Sequence, residues 1–347
     1  MSGGIDSSVA AILLLEQGYE LVGVTFRTYD SIKESCLAKE KGCCSVESIM
    51  EAKRLAEKLG FEHHIVDYRQ IFRDTVIENF KTEYMHGRTP NPCVLCNSHI
   101  KWGELLRAAE EFGCNKIATG HYARIADYQG RTCLQQAVDL GKDQTYFLWM
   151  LTEEQLQRTV FPLGGMLKSE VRQLAAGHGF VKLSQKKESQ EICFIPDNDY
   201  RIFLVNENCK VSEGSFIDKD GNRLGSHSGY CNYTIGQRKG LGIALGEPKY
   251  VVALNAVENT VQLGSHDELY TNLVSAGNVR LRNPQWIVND PHVEARIRYR
   301  SKAVSAQAEL KNGNLLLHTD EPVWGVTPGQ SLVLYKNGIL IGGGIIN

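Results

Sequence analysis

Short apolar runs alternate with amphipathic stretches over the first part of the chain. β-Branched runs at Glu20–Phe26, Glu62–Val66 and Lys116–Thr119 predict strands. Apolar residues at helical spacing over Ser45–Leu59 and Trp102–Phe112 predict helices between those strands. Because strands that alternate with helices form βαβ units, this part is predicted to be an α/β fold with a doubly wound, mostly parallel sheet.

The pattern changes after about residue 207. Before that point, Glu153–Gly179 predicts two further helices, separated at the FPLGG segment. After it, helical periodicity is absent, and short strands recur between the turns Asp220-Gly221, Lys311-Asn312-Gly313 and Lys336-Asn337-Gly338. We therefore expect three domains: an α/β domain over residues 1–206, a small central β domain over 207–272 and a C-terminal β-barrel over 273–347.

Composition narrows the possible classes of protein. The 347 residues are 42% hydrophobic and 22% charged, which excludes a disordered or low-complexity chain. No apolar run approaches the roughly 18 residues of a membrane span, and the start lacks a secretory signal pattern. We therefore expect a cytoplasmic protein without membrane attachment. The formal net charge of −2 excludes nucleic-acid binding through overall charge and leaves open a local basic face.

The segment Ser2-Gly3-Gly4-Ile5-Asp6-Ser7-Ser8 precedes an apolar helical stretch over Val9–Leu15. Two glycines allow backbone N–H groups to turn toward an anion, serine hydroxyls add donors, and the helix N-terminus adds its dipole. The segment therefore predicts a phosphate-binding loop. The alternative is an ordinary capped helix start, since Ser and Asp are good N-caps.

Ten cysteines in a chain expected in the cytoplasm are interpreted as core thiols, metal ligands or catalytic thiols rather than as a disulfide framework. Cys93 and Cys96 form a Cys-x-x-Cys pair within HGRTPNPCVLCN, and Cys193 lies in KESQEICFI. The spacing of the pair is weak evidence by itself, so its meaning depends on the surrounding residues.

Together these segments resemble the tRNA-specific 2-thiouridylase family of PP-loop ATP pyrophosphatases, which makes 2-thiouridine at the wobble position of tRNA. The resemblance covers nearly the whole chain. Further matching motifs are TGHY at 119–122, KDQTYFL at 142–148, TIGQRKGLG at 234–242, TPGQ at 327–330 and GGGII at 342–346.

The resemblance implies catalytic roles for three cysteines. Cys96 matches the family's nucleophile and Cys193 matches the cysteine that carries a persulfide. Cys93 stands where many members have Asp, an acid to which the family's pattern assigns proton transfer. Three thiols leave open an alternative in which Cys93, Cys96 and Cys193 hold a 4Fe–4S cluster with one open iron.

The resemblance also implies ATP, Mg²⁺ and tRNA as ligands. A PP-loop should follow a buried first strand, and here no strand precedes the loop, so the sheet is expected to lack that strand. Asp6 is also expected near the magnesium ion. The implied ATP-binding residues are Met1, Ser2, Gly3, Gly4, Ile5, Asp6, Ser7, Ser8, Phe26 and Gly120. The implied tRNA-binding residues are Asn91, Pro92, Cys93, His121, Lys142, Asp143, Gln144, Arg298, Tyr299 and Gln330.

A basic segment in the β half supports an RNA partner. Cations at Arg296, Arg298, Arg300 and Lys302 alternate with period two, which predicts one cationic face on a strand. Like charges in a row repel one another, so a phosphate partner explains the face better than solvent alone. Gln237, Arg238 and Lys239, among glycines, are expected to add contacts.

The predicted reaction is adenylation of the uridine 2-oxygen by ATP, release of pyrophosphate, attack of sulfur on C2 and departure of AMP. By resemblance, the substrates are the Lys, Glu and Gln tRNA isoacceptors, and a cysteine desulfurase relay or sulfide supplies the sulfur. A small-molecule PP-loop ligase and a non-catalytic RNA-binding module with a structural metal are the alternatives. Cys36, Cys43 and Cys44 are interpreted as partly buried thiols or a substrate contact at a helix start.

Overall fold

The computed structural model describes residues 1–29, 46–185, 192–195, 199–209 and 211–347. Cys36, Cys43 and Cys44 therefore lie outside the described residues, as does most of the segment before Cys193. In the described part of the chain, no helix is long and apolar enough to cross a membrane.

The helices lie mostly in the first half of the chain, as the sequence predicts. Two π-helical stretches, Arg73–Ile77 and Cys96–Glu104, continue directly from α-helices. The α-helices are α1 (Ile5–Glu16), α2 (Val46–Leu59), α3 (Arg69–Phe72), α4 (Glu78–Met85), α5 (Pro92–Leu95), α6 (Leu105–Glu111), α7 (Glu153–Gln157), α8 (Lys168–Gly177), α9 (Val181–Ser184), α10 (Tyr200–Asn206) and α11 (Gln285–Asn289).

The strands are short at first and become longer toward the C-terminus. They are β1 (Val22–Arg27), β2 (Glu62–Asp67), β3 (Ile117–Ala118), β4 (Ala123–Tyr128), β5 (Arg131–Gln136), β6 (Thr159–Val160), β7 (Gly214–Ile217), β8 (Arg223–His227), β9 (Tyr250–Asn255), β10 (Thr260–Gly264), β11 (Tyr270–Leu281), β12 (His292–Arg296), β13 (Val304–Lys311), β14 (Asn314–Trp324), β15 (Ser331–Lys336) and β16 (Ile339–Ile346).

The chain divides into two compact units that interleave along the sequence. The first comprises 1–77, 93–199 and 337–340, and the second comprises 78–92, 200–336 and 341–347. The three predicted domains are contiguous in sequence, and their boundaries remain a prediction. The sequence gives no sign that residues 78–92 belong with the β half.

The first unit is the predicted α/β fold. Strands β1 and β2 pair in parallel, and so do β3 and β6, but the two pairs are separate two-stranded sheets. The amino group of Met1 donates to the carbonyl of Val24, and the hydroxyl of Thr25 donates to the carbonyl of Met1 at 2.7 Å. The peptide that opens the phosphate loop therefore lies against β1, and the described residues contain no strand that joins the two sheets.

Helix α1 is held in the first unit by an apolar cluster. Val9 and Ala10 of α1 pack with Val171 and Ala175 of α8 and with Leu163. All five side chains are at most 4% exposed, so burial of apolar surface fixes α8 against α1. This packing brings the beginning of α8 to the beginning of α1, where the phosphate loop lies.

The second unit contains the all-β structure that the sequence predicts. A four-stranded sheet has the order β8-β7-β10-β9, and six strands have the order β11-β14-β13-β12-β15-β16. An additional β11–β16 pairing closes the six strands into a barrel. At the predicted turns, Asn312 (φ +51°) and Gly313 (φ +77°), like Asn337 and Gly338, have the positive φ values that tight hairpins require.

One strand prediction in the barrel is wrong. The alternating cations at 296–302 predict a single strand, but β12 ends at Arg296. Beyond it the chain turns, because the N–H of Ser301 donates to the carbonyl of Arg298 at 3.1 Å and the hydroxyl of Ser301 does so at 2.8 Å. The four cations therefore do not share one strand face.

Candidate active site

The phosphate loop is built on backbone contacts that only glycine allows. Gly3 has a φ of +62°, and a Cβ there would lie 2.2 Å from the carbonyl oxygen of Ser48. A Cβ on Gly120 would lie 2.7 Å from the carbonyl carbon of Asp6 and 2.8 Å from the nitrogen of Ser7. Gly120 follows the carboxyl end of β3, so the structure brings two predicted ATP-binding segments into direct contact.

Serine side chains close the loop around Gly4. The hydroxyls of Ser7 and Ser8 each donate to the carbonyl of Gly4 at 3.0 Å. The N–H of Ser2 donates to the hydroxyl oxygen of Ser7 at 3.2 Å. Gly4 is the N-cap of α1 and no side chain caps this helix, so the capped-helix interpretation of Asp6 is wrong. The hydroxyls of Ser7 and Ser8 therefore brace the loop itself, and the backbone N–H groups of the loop and of the helix N-terminus are the donors available to a phosphate.

Two side chains of the first unit bind the Asp6 carboxylate. The ammonium of Lys168 donates to Asp6 Oδ1 at 2.6 Å, and the hydroxyl of Tyr122 donates to the same oxygen at 2.9 Å. Sequence reasoning assigned no role to Lys168. Its position at the start of a helix after the FPLGG break was the available signal, but the contact spans 162 residues and no local pattern reveals it.

Phe26 lies near the end of β1, where the sequence places it. Its ring packs edge to face against Tyr68, with centroids 4.9 Å apart. Phe26 thus lies at the carboxyl end of β1 and Gly120 follows the carboxyl end of β3, and the carboxyl ends of strands are where α/β sheets bind ligands, although these two strands belong to separate sheets. Ile5, by contrast, is 5% exposed and packs into the core, so only its backbone faces the loop. Met1 binds the backbone of β1.

Cys93 and Cys96 lie on one helical segment that runs from α5 into the π-helix. Pro92 is the first residue of α5, so Cys93 is in the first turn and exposed, while Cys96 begins the π-helix and is half-buried. A spacing of three places both thiols on the same side of the segment. π-helical turns are frequent at functional sites.

Buried contacts fix this helical segment in the first unit. The amide of Asn97 donates to the carbonyl of Phe147 at 3.0 Å, and the indole N–H of Trp102 donates to Thr159 Oγ1 at 2.8 Å. Trp102 also packs against the ring of His121, with centroids 5.4 Å apart. The helical segment that carries Cys93 and Cys96 therefore packs against the residues that follow β3, where Gly120 contacts the phosphate loop.

Cys193 is exposed on a turn that an aromatic anchor holds in place. The N–H of Ile195 donates to the carbonyl of Ile192 at 3.0 Å, which closes the turn around Cys193. The next residue, Phe194, is 1% exposed, with ring centroids 5.6 Å from Phe72 and 6.2 Å from Tyr29. Since Tyr29 follows β1, the turn lies near the carboxyl end of that strand.

The cluster alternative is not supported. In the parts of the chain that the structure describes, no three His, Cys, Asp or Glu side chains are grouped as metal ligands. Cys93, Cys96 and Cys193 are all described, so they do not form the three-thiolate set that a 4Fe–4S cluster needs.

The expected tRNA contacts differ in their accessibility. His121 accepts or donates a hydrogen bond with Thr119 at 2.9 Å, and burial and then the charge of Lys101 hold its pKa well below the usual value. Asp143 is 1% exposed, and its carboxylate accepts a hydrogen bond from the hydroxyl of Thr145 at 2.8 Å. Asp143 therefore stabilises its own turn from a buried position. Its neighbours Lys142 and Gln144 are half-buried, and the Gln144 side chain accepts from the N–H of Tyr122 at 2.9 Å.

In the second unit, Arg298 is bound by the protein itself. Its guanidinium donates to the carbonyls of Gly325 and Ile235 and to the hydroxyl of Thr327, and it lies over the ring of Trp324. Tyr299 is half-buried in the turn after β12. Arg298 therefore anchors the segment before the TPGQ turn, and its assignment to tRNA remains a prediction.

Gln330 binds a loop of the same unit. Its side-chain amide donates to the carbonyls of Thr89 at 2.9 Å and Pro90 at 3.2 Å. Gly329, with a φ of +90°, leaves room for Thr89, whose N–H donates to the carbonyl of Pro328 at 2.8 Å. The TPGQ turn thus fixes the residues immediately before Asn91 and Pro92.

Comparison with known proteins identifies the family. Family models match residues 1–197 ("tRNA methyl transferase HUP domain"), 203–265 ("tRNA methyl transferase PRC-barrel domain") and 276–346 ("Aminomethyltransferase beta-barrel domain"). The tRNA-specific 2-thiouridylase MnmA of Amoebophilus asiaticus is 46% identical over all of this chain and 93% of its own length. Those of Cytophaga hutchinsonii and Salinibacter ruber are each 45% identical over the whole chain, which covers 95% and 93% of their lengths. The chain belongs to the tRNA-specific 2-thiouridylase family.

Proposed function

We propose that this chain is a tRNA 2-thiouridylase that uses ATP to replace the 2-oxygen of the wobble uridine with sulfur. One observation carries the proposal: a compact unit combines a glycine-tight phosphate loop with accessible thiols at Cys93, Cys96 and Cys193. The names of the relatives support the same activity.

In the first step, the uridine 2-oxygen attacks the α-phosphate of ATP and pyrophosphate leaves. The loop of Ser2, Gly3, Gly4, Ser7 and Ser8 holds the phosphates through backbone N–H donors, which offsets charge on the departing pyrophosphate. Asp6 is the carboxylate that would hold Mg²⁺, and the ion, when bound, would supply further charge neutralisation. Phe26 and Gly120 line the nucleotide at the ends of their strands.

In the second step, sulfur replaces the activated oxygen. Cys193 carries sulfane sulfur received from a cysteine desulfurase relay. The thiolate of Cys96 attacks the Cys193 sulfur of the persulfide, which releases hydrosulfide and leaves a Cys96–Cys193 disulfide. Hydrosulfide attacks C2 of the uridine, and AMP departs with the former 2-oxygen. A thiol reductant then supplies two electrons to restore both cysteines.

Contacts to tRNA are assigned to residues that occur in each of the two units. Asn91, Pro92 and Cys93 flank the target base, which must be unstacked for attack at C2. His121, Lys142, Gln144 and the TPGQ turn add contacts to the RNA. The substrates are tRNAs that read Lys, Glu or Gln codons.

The proposal is tested with the full chain, an unmodified tRNA transcript, Mg-ATP and a persulfide donor. We expect tRNA-dependent pyrophosphate release and 2-thiouridine in the digested tRNA by mass spectrometry. Cys96→Ser should lose thiolation, whereas Cys114→Ser, at a half-buried thiol outside the site, should keep it. Pyrophosphate release that requires a small amine acceptor and no tRNA would instead identify a small-molecule ligase.

A further inference from the structure

Lys168 is a buried cation in a place where two effects disfavour it. Its side chain is 9% exposed, so the ammonium is largely removed from water. It is also the first residue of α8, at the end of a helix where the dipole is positive and a cation is unfavourable. A lysine in this location lowers the stability of the fold unless a specific partner compensates its charge.

The partner is the Asp6 carboxylate. Lys168 Nζ lies 2.6 Å from Asp6 Oδ1 and 5.4 Å from the centre of the Tyr122 ring, while the Tyr122 hydroxyl binds the same carboxylate oxygen. The backbone N–H of Lys168 donates to Asp139 Oδ2 at 3.0 Å, so a second carboxylate offsets the dipole of α8. Asp6 is 34% exposed and lies in the first turn of α1.

An acidic side chain at this point conflicts with phosphate binding. Asp6 is part of the loop that presents donors to an anion, and a bare carboxylate would repel a triphosphate there. Lys168 reduces that conflict because its ammonium offsets the carboxylate charge whether or not Mg²⁺ is bound, and Tyr122 fixes the orientation of the carboxylate.

We propose that Lys168 is a positioning residue of the nucleotide site, which balances and orients Asp6 so that the loop can bind the phosphates of ATP. This inference rests on the proposed use of ATP. Lys168 acts through Asp6, so its effect on nucleotide affinity should vanish when the carboxylate is absent.

The test is a double-mutant cycle in the full chain, with Mg-ATP affinity measured by calorimetry. Lys168→Met should weaken ATP binding at least about tenfold, and Lys168→Arg should restore most of the loss. In the Asp6→Asn background, Lys168→Met should change affinity by less than about threefold. An equal loss in both backgrounds would overturn the positioning role and indicate direct contact with the phosphates.

Melting temperature and tRNA affinity distinguish a loss of nucleotide positioning from general damage to the fold. Lys168→Met should leave both of these quantities nearly unchanged. If Lys168→Met does not fold, Tyr122→Phe provides the second arm, since it removes only the hydroxyl bond to Asp6. Tyr122→Phe should raise the KM for ATP and leave kcat unchanged, and an unchanged KM would overturn the inference. Wild-type protein that binds no ATP would overturn the proposed function instead, whereas ATP binding that Lys168→Met leaves intact overturns only this inference.

Discussion

Gly120 and Asp6 lie in backbone contact, so the end of β3 directly supports the start of α1. The closest atoms to a Cβ on Gly120 would be the carbonyl carbon and oxygen of Asp6 and the nitrogen of Ser7, at 2.7 to 2.9 Å. None of these atoms belongs to a side chain that could rotate away. The position of the phosphate loop therefore depends on the absence of a side chain at residue 120.

Gly120→Ala is expected to impair ATP use by displacing the loop. We expect the KM for ATP to rise at least about tenfold, because the added methyl group must move backbone that a phosphate would touch. Gly165→Ala is the matched control, since a Cβ there meets nothing within 4 Å. Steady-state pyrophosphate release measures both variants, and equal KM values for them would contradict this assignment.

Thiolation is expected to proceed without iron. The described cysteines are not grouped as metal ligands, so protein prepared with an iron chelator should retain full activity. Cys93→Asp, which restores the residue common in the family, should keep activity within about threefold, since neither residue is assigned the nucleophilic attack. Iron analysis and 2-thiouridine content are the measurements, and activity that disappears with the iron would argue for a cluster after all.

Gln330 is expected to stabilise the second unit through the loop at Thr89 and Pro90. Gln330→Glu replaces an amide donor with an oxygen that faces two carbonyl acceptors, so the free energy of unfolding should fall by about 1–3 kcal/mol. Gln307→Glu, at an exposed position of β13, should change it much less. Urea unfolding monitored by tryptophan fluorescence distinguishes the two, and equal midpoints would refute the structural role of Gln330.

Stability is expected to fall as the pH drops below about 6.5. Burial, with help from nearby positive charges, lowers the pKa of His63 to about 4, and burial holds the pKa of His121 well below its usual value. The unfolded chain therefore binds more protons than the folded one below that pH, so stability is fully present above it and is lost toward pH 4.

His121→Gln should make this pH dependence shallower, whereas exposed His318→Gln should leave it unchanged. Urea midpoints at pH 7.5 and 5.5 provide the comparison. A wild-type midpoint that does not change between these two pH values would contradict the assignment.

Most of the secondary structure could be predicted from local sequence patterns. The β1, β2 and β3 runs and the Asn312-Gly313 and Asn337-Gly338 turns are determined by residues close in sequence, and the structure contains all of them. The segment at 296–302 shows the limit of this reasoning. Its alternation is that of a strand, but Arg298 bonds residues 325 and 327, which no local pattern specifies.

The residues of the candidate site also fall into two groups: those that a local motif identifies and those that tertiary packing brings together. The phosphate loop and each cysteine motif consist of residues that are adjacent in sequence, so they can be identified from the sequence alone. The Lys168–Asp6 pair joins residues 162 positions apart, and the buried state of Asp143 depends on Ala137 and Thr145 folding around it. Such contacts arise from tertiary packing and therefore require the structure.

The most direct test of the proposed mechanism is to separate activation of the tRNA from sulfur transfer. Cys193→Ser is incubated with tRNA and with ATP that carries a labelled α-phosphate, and the label attached to tRNA is counted. The account predicts labelled, adenylated tRNA and pyrophosphate without 2-thiouridine, because the loop is intact and only the sulfur carrier is removed. If this variant forms no adenylated tRNA and releases no pyrophosphate, or if it still makes 2-thiouridine, the assigned division of labour between the loop and the cysteines is wrong.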